Sequence, residues 1–296
     1  MHILRGAVQW IDIVKPSKED VDFVRAEHDF HPVILEELLT PSSRARVERY
    51  HDYLYLVYHM PVYDERLKTS RQAEIDFLIT KDKVITVRYE ELEPMDALIG
   101  KLNGNPQFAE QIMSGTSLAL VYHILQSLLG FSLRQLRHIE EKIRDASLKI
   151  FEGSEKNLLQ NISYTKRDLL DYRLVSKPQE ILFASLTGVG SSFWEADAKI
   201  YLDDLAGENL KIQQYLENYL QTISSLEQTN AQLLTIKINR TIQTFTMLAF
   251  FTFPLVLFST VYSIDNRTPV FWLGFAAIAV ATACLPFILK NRDKKK

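Results

Sequence analysis

The chain has a single cysteine, Cys284, in 296 residues, so no disulfide can close within one copy and nothing points to an oxidising compartment. Glycine and proline number only 10 each, while charged residues make up 24%, which excludes fibrous and disordered classes. There is no basic excess either: 34 Lys and Arg stand against 37 Asp and Glu, for a net charge of −3. The electrostatic footprint of a nucleic-acid binder is therefore missing. No Walker A loop, GxGxxG or HExxH occurs, and the 7 histidines are scattered, so no nucleotide loop, zinc site or nucleophile triad can be assembled from sequence. No enzyme activity and no organic cofactor are expected. The N-terminal stretch MHILRGAVQWIDIVKPSKED holds no uninterrupted apolar core, so no cleaved leader is expected.

Long apolar runs are present at the other end. Thr241 to Ile264 is 24 residues without a formal charge, and Thr268 to Leu289 is 22 more. Each meets the roughly 20 residues that a helix needs to cross a hydrocarbon core. Lys237 and Arg240 precede the first run, and the tail carries Lys290, Arg292, Lys294, Lys295 and Lys296. The positive-inside rule then places both termini in the cytoplasm and the short loop containing Arg267 outside, a multi-pass arrangement in the cell (inner) membrane. The lipid bilayer is thus one expected partner.

Ahead of the spans, residues 53–63, 73–80 and 83–90 are rich in β-branched and aromatic residues, with Lys81-Asp82-Lys83 as a turn. Two helical stretches come before them; the first opens at Ser17 with Asp20 three residues on, a capping-box arrangement. This is an α+β cytoplasmic domain, a mixed α/β layer over residues 1–105, with turn signals at 104–108 marking its end. Residues 106–194 read as an antiparallel helical hairpin broken at Phe151–Asn157, with Pro178 near the end of its second helix and Leu186–Trp194 as a loop.

A third helix is expected from about Asp197 to about Tyr262, on the order of 100 Å at 1.5 Å per residue. It divides into a stalk over 195–240 and a first span over 241–264, followed by an outer loop at 265–269, a second span at 270–289 and the tail at 290–296. Leu202, Leu205, Asn209, Ile212, Leu216, Tyr219, Ile223, Leu226, Asn230 and Leu233 alternate at steps of three and four. Because this seam feeds directly into a span, it is read as an oligomerisation surface rather than as packing on its own domain.

Several motifs now take on meaning together. His31-Pro32 followed by Leu35-Glu36-Glu37-Leu38-Leu39, then Arg46-Val47-Glu48 with Tyr50, Asp52 and Tyr53, and the strand pair IDFLITKDKVITVRYE resemble the CorA family of divalent-cation channels. Asn239, Pro254 and Tyr262 fall at the spacings of that family's pore-helix Asn, mid-span Pro and the Tyr before its signature tripeptide. The resemblance covers nearly the whole chain. It implies a CorA-like funnel: a homopentamer whose first spans line a central pore for divalent cations, Mg²⁺ foremost with Co²⁺, Ni²⁺ or Zn²⁺ as alternatives, gated by cytoplasmic ion binding.

The departure lies at the outer mouth. Family members continue the Tyr as Gly-Met-Asn or a close variant, whereas here Tyr262 is followed by Ser263, Ile264 and Asp265, with Asn266 one place later. Asp265 aligns with the family's filter Asn, and a slip of one residue would substitute Asn266; capping of the helix and formation of the outer turn is the other reading of these residues. Five converging carboxylates would attract cations, although they need not select the hydrated ion. Below them, Thr260, Val256, Phe253, Ala249, Phe245 or Thr246, Ile242 and Asn239 share one helix face, and Ile242, Phe245, Ala249, Phe253 and Val256 would make an apolar constriction able to gate by dewetting. By the same resemblance, Asp204, with Asp203 and Glu208 beside it, marks a regulatory divalent-ion site between subunits; a solvated acidic face is the alternative. His31 is read as a helix-start residue rather than a ligand. A non-conducting CorA-like scaffold or ion sensor is the rival function, motivated by the altered tripeptide.

Overall fold

The computed structural model describes residues 1–150, 155–194, 197–262, 269–270, 272–278 and 280. Its elements are β1 (His2–Leu4), β2 (Gln9–Val14), α1 (Lys18–Glu27), α2 (Pro32–Glu37), β3 (Arg46–Arg49), β4 (Leu54–Asp64), β5 (Thr69–Ile79), β6 (Lys83–Arg88), α3 (Glu93–Gly104), α4 (Pro106–Met113), α5 (Ser117–Lys149), α6 (Glu155–Ser176), α7 (Gln179–Trp194) and α8 (Ala198–Tyr262). The chain divides into two compact units, Met1–Glu227 and Gln228–Lys296.

In the first unit the six strands form one sheet in the order β1-β2-β6-β5-β4-β3. Every neighbouring pair is antiparallel except β2 and β6, which run parallel because α1, α2 and three strands intervene between them. Period-two alternation sends Ile11, Ile13, Tyr55, Val57, Leu78, Ile85 and Val87 to one face, where they pack on Val21, Val24, Ile34, Leu35 and Leu38 of α1 and α2. The opposite face is covered by α3, α5 and α6. There Arg88, fully buried, donates to Asp12 on β2 at 3.0 Å and to Asp96 on α3 at 2.5 Å, while Trp10 and Thr86 complete the chain of bonds to Asp12. A buried ion pair holds only when each charge is met this way.

The local signals act as their chemistry requires. Ser17 and Asp20 form the reciprocal capping box of α1. His31 caps α2, its Nδ1 accepting from the Val33 N–H, with Pro32 in the first turn. The Tyr53 hydroxyl accepts from the His31 N–H, Tyr50 stacks on Tyr53 at 4.6 Å between centroids, and Tyr50 donates to Glu48. The motif residues of this region are thus a packing device that fixes α2 to the strand pair.

Two expectations are corrected. Leu186–Trp194 is not a loop: α6 stops at Ser176, and a separate helix runs from Gln179 to Trp194, with the Leu182 N–H bonded to the Pro178 carbonyl. Pro178 opens this helix, a position at which a missing N–H costs nothing. Gly190 has a packing role, since a Cβ there would lie 2.6 Å from Leu202 Cδ1. The second correction concerns the seam. Leu202, Leu205, Asn209, Ile212, Leu216 and Ile223 are all buried within one chain. Polar bonds line the same contact: Gln213 to the Ser176 carbonyl, Tyr219 to Glu140 and Lys166 to Glu227. This stretch of seam is spent on α5, α6 and α7, so it is no evidence for self-association.

In the second unit, the C-terminal part of α8 continues helical through Pro254. It is the one helix among the described residues long and apolar enough to cross a membrane, with a mean hydropathy of 1.7 over a window that is not buried. The apolar start of α5 is core instead, because Leu120, Val121, Ile124, Leu125 and Leu128 are all buried.

Candidate functional site

The face singled out in the first span can be located on α8. At about 100° per residue, Ile242, Phe245, Ala249, Phe253, Val256 and Thr260 stay within one side of the cylinder. All six are exposed, with Phe245 and Phe253 each 66% accessible. Asn239 is exposed at the edge of the same side. From Phe251 onward the opposite side is covered: Phe251, Pro254, Leu255 and Phe258 are only half-exposed. Phe258 lies over Gly274, where a Cβ would approach its ring to 2.8 Å, and 6.3 Å from the Phe275 centroid. Glycine at 274 therefore lets the second apolar segment seat against an aromatic ring. Over Phe253–Thr260 the sequence-assigned face is the side that this packing leaves uncovered, while from Thr241 to Phe250 all sides of the helix are exposed.

Its chemistry is graded along the helix. Phe245, Ala249, Phe253 and Val256 offer no polar atom, so a hydrated ion could pass them only through a water-filled opening. Thr260 donates its hydroxyl to the Val256 carbonyl at 2.8 Å, and Thr246 bonds likewise to Ile242. A hydroxyl that donates to its own helix keeps lone pairs for the hydrogens of a passing ion's water shell. Ser263, Ile264, Asp265 and Asn266, the expected filter, lie outside the described residues, as do the tail at 290–296 and Cys284.

The acids expected to bind a regulatory ion lie near the start of α8. Asp203 and Asp204 are exposed and Glu208 is half-exposed. Asp204 accepts from the Tyr122 hydroxyl at 2.8 Å, and Glu208 pairs with Lys211 at 2.5 Å. Partial burial and the bond to Asp204 push Tyr122 up to about 12, so at neutral pH it keeps its proton and donates it to Asp204, while its oxygen accepts from the Gln126 amide at 3.1 Å. Among the described residues no three His, Cys, Asp or Glu side chains come together closely enough to hold a metal ion. One chain alone thus offers Asp203 and Asp204 as solvated carboxylates with ligand capacity to spare. Sequence reading overlooked Tyr122, because within the apolar run LVYHIL it looks like one more core aromatic.

Comparisons with known proteins give this geometry a context. The sequence model of the family described as CorA-like Mg²⁺ transporter protein matches residues 5–291. The chain is 22% identical over 259 residues to the cobalt/magnesium transport protein CorA of Thermotoga maritima, covering 86% of this chain and 72% of that protein. It is 19% identical over 290 residues to the cobalt/magnesium transport protein CorA of Methanocaldococcus jannaschii, covering 95% and 90%. The complete structure of the CorA magnesium transporter from Methanocaldococcus jannaschii superimposes with a TM-score of 0.81 at 15% identity, over 99% of this chain and 92% of that one. Full-length CmaX superimposes with a TM-score of 0.68 at 16% identity, over 96% and 88%. The α+β domain, the long helices and the apolar C-terminal helix are therefore the fold of full-length CorA structures, and the chain belongs to the CorA-like Mg²⁺ transporter family.

Proposed function

We propose that the protein is a membrane transporter of divalent metal cations, with Mg²⁺ as the first candidate and Co²⁺, Ni²⁺ and Zn²⁺ as alternatives. Its pore is lined by the Ile242–Thr260 face of α8 in a homopentamer. The observation that carries the reading is that face: apolar and exposed, with its Phe253–Thr260 part turned away from the side where Phe258 meets the second segment, in a family whose relatives are named for cobalt and magnesium transport. Five copies of α8 would bring Phe245 and Phe253 into two aromatic rings, a dry constriction that opens when the helices move apart. Asp265 at the outer mouth would draw in cations, and Asn239 would meet them at the inner end. Asp203 and Asp204, with Glu208, would bind the internal ion against carboxylates of a neighbouring subunit and hold the pore shut, since hard cations take oxygen ligands and clustered acids repel when unbridged. Both termini are cytoplasmic in this arrangement.

The test is flux into liposomes with purified protein, measured separately for Mg²⁺, Co²⁺, Ni²⁺ and Zn²⁺. Transport of at least one ion supports the channel. No flux of any ion from intact oligomers would sink it and favour the second reading, a non-conducting membrane-anchored scaffold or ion sensor, which the Ser263-Ile264-Asp265 replacement motivates. Within the channel reading, Asp265→Asn changes ion preference or rate more than Asn266→Ala does. Equal effects would place the filter elsewhere.

A further inference from the structure

Two carboxylic acids are buried side by side on β5, and among the described residues neither is paired with a lysine or arginine. Glu74 and Asp76 are two residues apart and so share a face of the sheet. They are 4% and 1% exposed. Glu74 accepts from the Ser42 N–H at 2.6 Å and bonds the His59 ring at 2.9 Å across the β4–β5 ladder. Asp76 Oδ2 accepts from the Tyr89 hydroxyl at 2.8 Å, while Oδ1 is buried without any partner. A carboxylate oxygen in that position is costly, but a protonated one can donate to the neighbouring carboxylate.

We propose that Glu74 and Asp76 together form a proton-binding site, the proton sitting on Asp76 Oδ1 and donated to Glu74, and that its loss in mildly alkaline conditions loosens the segment from Thr40 to Ala45. This inference stands on the cytoplasmic domain alone and does not depend on transport. Burial, and after it the charge of Glu74, push Asp76 up to about 8. Two adjacent charges in a medium of low polarity repel strongly once the proton has left for solvent. Its exit is short, because His59 lines a cavity of about 380 Å³ bounded also by Ser43, Arg44 and Arg46.

The groups around the pair decide what moves. From β4 it is faced by Tyr55 and His59, from the end of β6 by Tyr89, and from β3 by Arg46, behind which stand Glu37 of α2 and Glu48 of β3. Arg46 is the nearby cation whose field already reaches Asp76, and in the protonated state it is held by Glu37 and Glu48 with its guanidinium over the Tyr55 ring. The same arginine donates to Ser42 Oγ at 2.9 Å, and the Tyr89 oxygen lies 3.3 Å from the Thr40 carbonyl. Ionised Asp76 pulls Arg46 toward β5 and away from Glu37. The bonds that tie the α2–β3 connection to the sheet are then lost together.

Two measurements on the full chain in lipid or detergent test this. Infrared spectroscopy of the wild type at pH 7 should show the carbonyl stretch of a protonated carboxylic acid that fades as pH rises past about 8. Asp76→Asn should lack it. A wild-type spectrum without that band overturns the proton site and needs no variant to fold. Amide hydrogen exchange of the peptide covering 40–45, corrected for intrinsic base catalysis, should rise about tenfold over the pH unit past the transition, and Asp76→Asn should abolish the rise. An undiminished rise in that variant overturns the coupling to the segment. Glu74→Gln, which keeps the shape and removes the repelling charge, should move the fading of the band to lower pH by about one unit. An unmoved midpoint overturns the sharing of the proton.

Discussion

Leu205→Ala and Leu210→Ala, five residues apart on α8, separate the two accounts of the long helix. Leu205 is 0% exposed within one chain, and Leu210 is 50% exposed on the outward side. Truncating a buried leucine loses its transfer energy and leaves a cavity that neighbours only partly fill, about 3 kcal/mol for a site of this kind. In a unit of 227 residues that cost lowers the melting temperature by about 6–12 °C. The outward Leu210→Ala should cost under about 0.5 kcal/mol in the isolated chain. Thermal unfolding of the detergent-solubilised protein, followed by tryptophan fluorescence and paired with cross-linking to count subunits, reads both. Leu205→Ala should melt early with its subunit count unchanged. If it instead kept its melting point and fell apart into monomers, the seam would be an intermolecular surface and the assignment of its burial to α5, α6 and α7 would be wrong.

Other outcomes follow from single contacts. Gly274→Leu drives a side chain into the Phe258 ring and should unseat the two apolar segments, seen as loss of folded protein at extraction, whereas Gly274→Ala should be milder. Arg88→Ala strands Asp12 in the core and should cost about 3–5 kcal/mol in denaturant unfolding, while Arg134→Ala, whose pair with Glu93 is exposed, should cost little. Phe253→Ser introduces a hydroxyl into one of the two aromatic levels of the proposed pore and should raise resting Mg²⁺ flux in liposomes; an unchanged flux would move the constriction off Phe253. A folded-state pKa raised at Asp76 means that the folded chain holds more protons than the unfolded one from about pH 4 to about pH 8. Stability from this group therefore falls as pH rises through that window, and Asp76→Asn should gain most, relative to wild type, above pH 8.

The sequence was legible wherever a signal is local and has one physical cause. Ser17 with Asp20, His31 ahead of Pro32, the strand pair around Lys81-Asp82-Lys83 and the unbroken course of α8 through Pro254 all follow from capping, turn chemistry or uninterrupted periodicity. Leu186–Trp194 was not legible. Its glycines and serines carry loop propensity, but α7 is held helical by burial of Leu186, Gly190, Phe193 and Trp194, and such burial outweighs the few tenths to one kcal/mol that those residues cost a helix.

What the sequence alone determined is the chemistry carried by the chain in one dimension: an apolar stretch long enough to cross a bilayer, a three-four seam, an acidic patch at Asp203 and Asp204, and the tripeptide Ser263-Ile264-Asp265 after Tyr262. Periodicity says that a stripe is buried without saying by what. Only the tertiary structure decided that Leu202, Leu205, Asn209, Ile212, Leu216 and Ile223 are covered by the chain's own helices, that Phe258 and Gly274 use up one side of the apolar helix and leave its Phe253–Thr260 side open, and that Asp204 already meets Tyr122. It also placed Glu74 and Asp76 in the dark beside each other, because two acids at alternate positions of a strand read as a solvent face until a loop and a third strand close over them.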